Sequence, residues 1–255
     1  MSMKFLLRLC LAWSASLPLL AAEHIDVWSY HLSPPFHTAD GQGLSAAFVE
    51  LLNRHPLNAG RFAFALRELP RKRLDLQLRR GQPGVVLWAS PRFFAEADAP
   101  QRWSRPLLLD RQDVISLRER PVEYRAPASL AGLRLGGVLG HRYLDLEGEI
   151  AAGRIRREDV QGDLQNLHKL LAGRLDIALM PRSAWLYYSR QGVAAQTLHA
   201  SAQPLYFIER RLLCSAALSA EACDWLQQRA AELPGEASWH ELLDRHGLKP
   251  IGVQH

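Results

Sequence analysis

Short β-rich runs alternate with stretches of helical spacing along this chain, and after residue 117 the alternation starts again. Ile25–Tyr30, Arg61–Leu69 and the apolar run Val85–Trp88 read as strands. Between them, Leu44–Asn53 puts Leu44, Ala47, Phe48, Leu51 and Leu52 on one helical face, and Arg71–Arg80 follows Pro70 and stops at Gly81. The second round has strands at Leu133–Leu139 and Leu175–Met180. Its helices fall at Tyr143–Ala152, Asp163–Ala172 (with Asp163 a plausible N-cap) and Ser183–Ser189. Helices at Ala220–Glu232 and Trp239–His246 close the chain. Strands alternating with helices mean βαβ units on mostly parallel sheets, so the chain is α/β. Two long extended stretches, 107–117 and 205–213, read as crossovers between two lobes. On that reading residues 23–109 plus 208–255 form the first lobe, and 110–207 the second.

The first residues read as an address. Lys4 and Arg8 give a positive start, and the apolar core Leu9–Leu17 is too short to cross a hydrocarbon layer of about 30 Å. Pro18 then precedes Leu20-Ala21-Ala22, whose small residues suit a signal peptidase, so residues 1–22 are expected to be a cleaved signal peptide. The competing reading is an uncleaved anchor; Arg8, next but one before Cys10, argues against a lipobox. No later run approaches the length of a membrane-spanning helix.

Without Lys4 and Arg8 the count of basic residues falls from 31 to 29 against 26 acids, so the formal charge goes from +5 to +3. The densest basic runs are Arg71-Lys72-Arg73 and Arg154–Arg157. Neither carries the interleaved aromatics of a nucleic-acid surface, and export makes nucleic acid an unsuitable partner. Arg154–Arg157 reads as a solvated helix face. Cys214 and Cys223 remain after processing, and an oxidising compartment permits a disulfide between them; the alternative is two buried thiols.

Several motifs then fall in a telling order. Tyr30…Pro34-Pro35-Phe36 precedes a helix opening at Gly43-Leu44. Leu69-Pro70-Arg71-Lys72-Arg73…Leu78-Arg79-Arg80-Gly81 and Trp103-Ser104-Arg105-Pro106-Leu107 follow. Ser129-Leu130-Ala131-Gly132-Leu133-Arg134-Leu135-Gly136 and Leu170-Leu171-Ala172-Gly173-Arg174-Leu175-Asp176-Ile177-Ala178 complete the series. In order and spacing these resemble the family 3 periplasmic solute-binding proteins of ABC-transporter type, over nearly the whole mature chain. The resemblance implies a two-lobed periplasmic-binding-protein fold. It implies a monomeric periplasmic protein that closes on a small solute, needs no cofactor or metal, and hands the solute to an inner-membrane permease. A sensing partner of a membrane receptor is the second reading the family allows.

Departures from the family pattern bear on the ligand. Where amino-acid binders place Thr-x-x-Arg, this chain has Ala89-Ser90-Pro91-Arg92, with Arg92 one position out of step. Met180-Pro181-Arg182 stands where those binders carry an acid for the amino group, and Gly81-Gln82-Pro83-Gly84 replaces the usual Gly-Asp. The departures point away from a standard amino-acid ligand.

In open α/β sheets ligands sit beyond the carboxyl ends of the strands, which in a two-lobed clamp face the cleft. That rule selects Tyr30 and Phe36 as ring contacts. It selects Arg71 and Arg73, cations at a helix start where they oppose the dipole and so suit an anion better than the helix. Trp88, Ser90 and Arg92 follow the third strand, with Arg92 the leading anion contact and Trp88 equally readable as core. From the second lobe, His141, Arg142 and Tyr143 lie between a strand and a helix start, where free N–H groups hold anions. Arg182 and Trp185 follow the last strand. Arginine and aromatic residues dominate and acids are few, which favours an anionic or aromatic organic solute.

Catalytic signatures are missing. His240-Glu241-Leu242-Leu243-Asp244 fails as a zinc pair, and neither a Walker loop, a Gly-x-Ser-x-Gly elbow nor a metal-spaced Cys/His cluster occurs. The chain therefore reads as a non-enzyme. The same fold does host cyclohexadienyl dehydratases; on that lesser reading His141 or Glu147 would be the acid or base.

Overall fold

The computed structural model describes residues 21–94, 102–193 and 195–248. The expected signal peptide falls almost wholly on residues 1–20, outside the described residues.

Two similar sheets meet along a pair of long strands. In the first lobe β1 (Glu23–Ser29) lies between β2 (Phe62–Glu68) and β3 (Val85–Ala89), parallel to both. In the second, β5 (Arg134–Val138) lies between β6 (Arg156–Val160) and β7 (Ile177–Pro181), again parallel. Each triplet is completed by an antiparallel strand that arrives from the other lobe. β9 (Tyr206–Cys214) pairs with β3, and β4 (Leu108–Leu117) pairs with β7 and with the short β8 (Leu198–Ala200). The full order is β2-β1-β3-β9-β4-β7-β5-β6.

The crossover strands pair with each other through Leu108–Gln112 and Tyr206–Arg210. Here β9 alternates buried and exposed residues, as a two-stranded connector with one wet face must. Beyond it both strands enter a lobe, and Leu212–Cys214 and Gln112–Ser116 become buried on both faces. The two extended stretches of the sequence are thus the two crossover strands.

Helices cover the sheets. α1 (Leu44–Arg54) buries Leu44, Phe48 and Leu52, the i, i+4, i+8 stripe seen in the sequence. α6 (Ala220–Glu232) and α7 (Ala237–Arg245) pack on the first lobe with Trp225 and Trp239 inside. A disulfide joins Cys214, at the end of β9, to Cys223 in α6, with Cα atoms 5.9 Å apart.

Four local expectations need correction. Arg154–Arg157 is no helix face: Arg156 begins the edge strand β6. The helix expected at Tyr143–Ala152 is a 3-10 turn, Leu144–Leu146, followed by a short α3 (Glu147–Ala151). Gly148 in that stretch and Gly153 just past it weaken helix propensity. Asp163 is not the N-cap of α4 (Asp163–Leu171); Gly162 holds that position. The Asp163 carboxyl is buried, its Oδ1 has no hydrogen-bond partner, and burial pushes its pKa up to about 7. The helix read from Ser183 begins one residue earlier, as α5 (Arg182–Arg190).

Candidate functional site

The strand ends of both lobes converge on a group of rings and guanidinium groups where the crossover strands pass. From the first lobe, β1 delivers Tyr30, His31 and the loop that carries Phe36. The His31 ring centroid is 4.2 Å from Tyr30 and 5.0 Å from Phe36. His31 Nε2 lies 3.2 Å from the Trp88 carbonyl oxygen and 3.3 Å from Arg210 Nη1. One nitrogen cannot donate to the carbonyl and accept from the guanidinium at once, so the tautomer decides which contact is a hydrogen bond. Burial above all, then the charge of Arg210, holds the His31 pKa well below the usual 6.5. The ring is neutral at physiological pH.

Arg210, on β9, is the hub. Its guanidinium lies 4.6 Å from the Phe36 ring centroid and donates through Nε and Nη2 to Asp110 Oδ2 at 2.9 and 2.7 Å. Asp110, on β4, also accepts from the Ser183 backbone N–H at 3.1 Å and from Ser183 Oγ at 2.7 Å. That donor N–H belongs to the first turn of α5, so the carboxylate sits on the positive end of that helix. Arg210 is 3% exposed and Asp110 5%, so this pair has almost no water to fall back on. A polar chain thus runs from His31 of the first lobe through both crossover strands into α5 of the second.

A short turn, Pro91–Phe93, reaches across beside it. Arg92 Nη2 donates to Asp145 Oδ1 of the second lobe at 2.5 Å, and its guanidinium lies 4.4 Å from the Tyr206 centroid. Phe93 meets Tyr206 edge-on at 5.9 Å. Arg71, at the start of α2 (Arg71–Arg79), bonds Asp75 at 2.7 Å and donates through Nη2 to the Phe93 carbonyl at 2.7 Å. It lies 3.9 Å from the Phe94 ring centroid. The cation that opposes its helix dipole is therefore spent on fastening the turn, with its own i+4 acid offsetting the penalty.

The second lobe contributes His141, Tyr143 and Arg157. Tyr143 is buried, and its hydroxyl accepts the Val138 N–H at 3.1 Å. Arg157 lies 4.9 Å from the Tyr143 ring, bonds Asp159 at 2.7 Å and donates to the His141 carbonyl at 2.9 Å. His141 keeps solvent contact although protein surrounds most of it; that crowding, with Arg157 and Arg210 adding, lowers its pKa. Burial raises the pKa of Tyr143, and that of Tyr206 to about 12.

Of the residues selected from the sequence, the structure brings Tyr30, Phe36, Arg71, Arg92, His141 and Tyr143 to this region. Trp88 is not there to meet a ligand. A bulge in β3 gives it φ 59° and buries its ring in the first-lobe core against Phe36, Phe48 and Trp239, with Nε1 donating to Ser45 Oγ at 3.0 Å. Trp185 likewise packs in the second-lobe core. Arg73 is exposed and joins none of these rings or ion pairs. Ser90 is buried beneath the turn, its carbonyl accepting the Phe93 N–H at 2.9 Å. Arg142 points away, forked onto Glu147 through two bonds of 2.8 Å; that pairing lowers the Glu147 pKa and leaves Glu147 ill suited to acid catalysis. Arg182 pairs with the fully buried Asp113, which Arg111 holds from its other oxygen at 2.5 Å.

His31, Phe93, Asp145, Arg157, Tyr206 and Arg210 were missed. Arg210 and Asp110 had a signal: each is a charge at an inward position of an alternating strand, where only a paired charge survives. Asp145 had none. Among the described residues no group of three or more His, Cys, Asp or Glu is placed to hold a metal ion. Two small cavities, about 140 and 60 Å³, are each lined by one lobe alone, at Leu117 and Leu175 and at Phe36 and Glu68.

No family model and no curated protein matches the sequence. Solved structures do match. An ancestral arginine-binding protein bound to arginine is similar with a TM-score of 0.67 at 13% identity, over 91% of this chain and 100% of the other. The chain has the two-lobed periplasmic-binding-protein fold. The unliganded, open L-cystine solute receptor of Neisseria gonorrhoeae is similar at TM-score 0.59 and 17% identity, over 91% and 96% of the two chains. An ancestral amino-acid-binding protein, a precursor of cyclohexadienyl dehydratase, is similar at 0.63 and 11%, over 88% and 95%. Identities this low speak for the fold alone.

Proposed function

We propose that this is an exported, divergent family 3 solute-binding protein. It captures a small organic solute between its lobes in the periplasm and presents it to an inner-membrane permease. Residues 23–109 with 208–255 serve as one lobe and 110–207 as the other. The observation that carries the reading is the convergence of Arg92, Arg210, His31 and His141 with the rings of Tyr30, Phe36, Phe93 and Tyr206 at the crossover strands. Guanidinium groups beside ring faces suit a carboxylate or another anion carried on an aromatic or flat organic body. The Cys214–Cys223 bridge supports an oxidising compartment. Neighbouring folds whose names state a ligand bind arginine, glutamine, cystine or glutamate, which supports capture of a small solute.

The test is calorimetric titration and thermal shift over aromatic carboxylates, other organic acids and free amino acids. An aromatic or anionic solute is expected to raise the melting temperature, and Arg92→Ala to bind it at least tenfold more weakly than Asp145→Asn, which keeps the guanidinium and removes only its ion pair. Binding of none of these classes, or an Arg92→Ala variant that binds as tightly as Asp145→Asn, overturns the assignment.

A further inference from the structure

The Arg92 guanidinium lies between the lobes, beside the crossover strands. It leaves the first lobe in the turn Pro91–Phe93, lies 4.4 Å from the Tyr206 ring centroid and ends 2.5 Å from Asp145 Oδ1. The next residue, Phe93, packs against apolar clusters of both lobes. Arg71 fastens the turn from behind by donating to the Phe93 carbonyl at 2.7 Å. A tail fixed to one lobe thus puts a charge and a ring onto the other.

We propose that the Pro91–Phe93 turn is an autoinhibitory strap, with Arg92 holding the lobes closed on Tyr206 and Asp145 until an anionic solute draws its guanidinium off Asp145. The strap rests on the cleft reading for its meaning, but its closure needs no solute. Three features argue for a strap rather than an ordinary surface ion pair. The guanidinium is sandwiched between an acid and a ring face, as a bound cation would be. Its pair joins two lobes that, among the described residues, are also linked by the crossover strands, by Phe93 and by Arg190 donating to the Asp244 carbonyl oxygen at 3.2 Å, so breaking it loosens a hinge rather than one side chain. Arg92 and Asp145 are each 34% exposed, wet enough for a competitor to reach them. The consequence is arithmetic: if the strap keeps only a fraction of molecules open, the apparent affinity for any solute falls by that fraction. Asp145→Asn frees Arg92 without removing it, so it raises affinity for an anion.

The experiment measures closure of the solute-free protein. Spin labels go on Arg73 and Arg156, exposed positions of the first and second lobes, and small-angle scattering gives the overall size. In low salt, wild type is expected to show one short-distance population. Arg92→Gln and Asp145→Asn are each expected to move the closed-to-open ratio about five- to tenfold towards open, the size of a screened ion pair plus a ring contact. The double swap Arg92→Asp with Asp145→Arg is expected to recover closure. Raising salt to about 1 M on wild type, where screening shortens to about 3 Å, opens it without any substitution and so serves if a variant fails to fold. A wild type that is open without solute, or variants and high salt that leave it as closed as before, overturns the strap. Failure to find a solute leaves this readout untouched.

Discussion

Removing the Asp110 carboxylate is expected to cost far more than any surface ion pair. Asp110 takes two bonds from Arg210 and two from Ser183, and the Arg111 N–H bonds its Oδ1 at 2.9 Å. Asp110→Ala leaves Arg210, 3% exposed, with a buried charge and, among the described residues, no acid paired with it. Breaking a buried pair from one side costs about 3–5 kcal/mol. In a domain of this size each kcal/mol moves Tm by about 2–4 °C, so the expected drop is roughly 6–20 °C. The double variant Asp110→Leu with Arg210→Met removes both charges. Only the lost cap on α5 and some misfit remain, at about 1–2 kcal/mol. Urea melts of wild type, Asp110→Leu, Arg210→Met and the double variant form a thermodynamic cycle. The expected coupling is at least about 2 kcal/mol in favour of the double variant. A single variant within about 1 kcal/mol of wild type, or a double variant as costly as the two singles summed, would refute the reasoning.

Two more expectations follow from the same geometry. His31 has a pKa held below 6.5, so below pH 6.5 the unfolded chain binds a proton that the folded one refuses. Stability therefore falls as pH drops from 6.5 towards the folded value, by at most about 1.4 kcal/mol per pH unit, and His31→Gln should flatten that slope between pH 7.5 and 5.5; an unchanged slope counts against it. Opening the Cys214–Cys223 bridge, which closes a loop of sequence separation 9, should cost roughly 2.7 kcal/mol by loop entropy. The reductant-induced drop in Tm measures it, and should vanish in the Cys214→Ala, Cys223→Ala protein.

Periodicity made the sheets and helices readable because burial acts on every residue of an element at once. The stripe of α1, the apolar β3 and β7 and the two extended crossovers needed no tertiary knowledge. The errors fell where local signals oppose tertiary ones. β6 carries Arg156, Arg157, Glu158 and Asp159, a composition that gives no strand signal; it forms because an edge strand need bury little and because Arg157 and Asp159 serve each other. Gly137 on the neighbouring β5 makes room for them, since a Cβ there would come within 2.5 Å of Asp159 Oδ1.

The site was legible by element but not by side chain. The strand-end rule names the right loops, since the residues of the cluster, apart from Arg157 on β6, lie beside the strand ends or on the crossover strands. What the rule cannot weigh is competition among partners. Arg142 and Arg182 have acids waiting on their own lobe, at Glu147 and Asp113, and turn to them. Arg71 has Asp75 four residues on. Among the described residues Arg92 is bonded to no acid of its own lobe and finds one in the other, at Asp145. Arg92 is thus placed across the gap with its charge met only on the far lobe among the described residues, so an anionic solute gains it as a partner only by drawing it off Asp145.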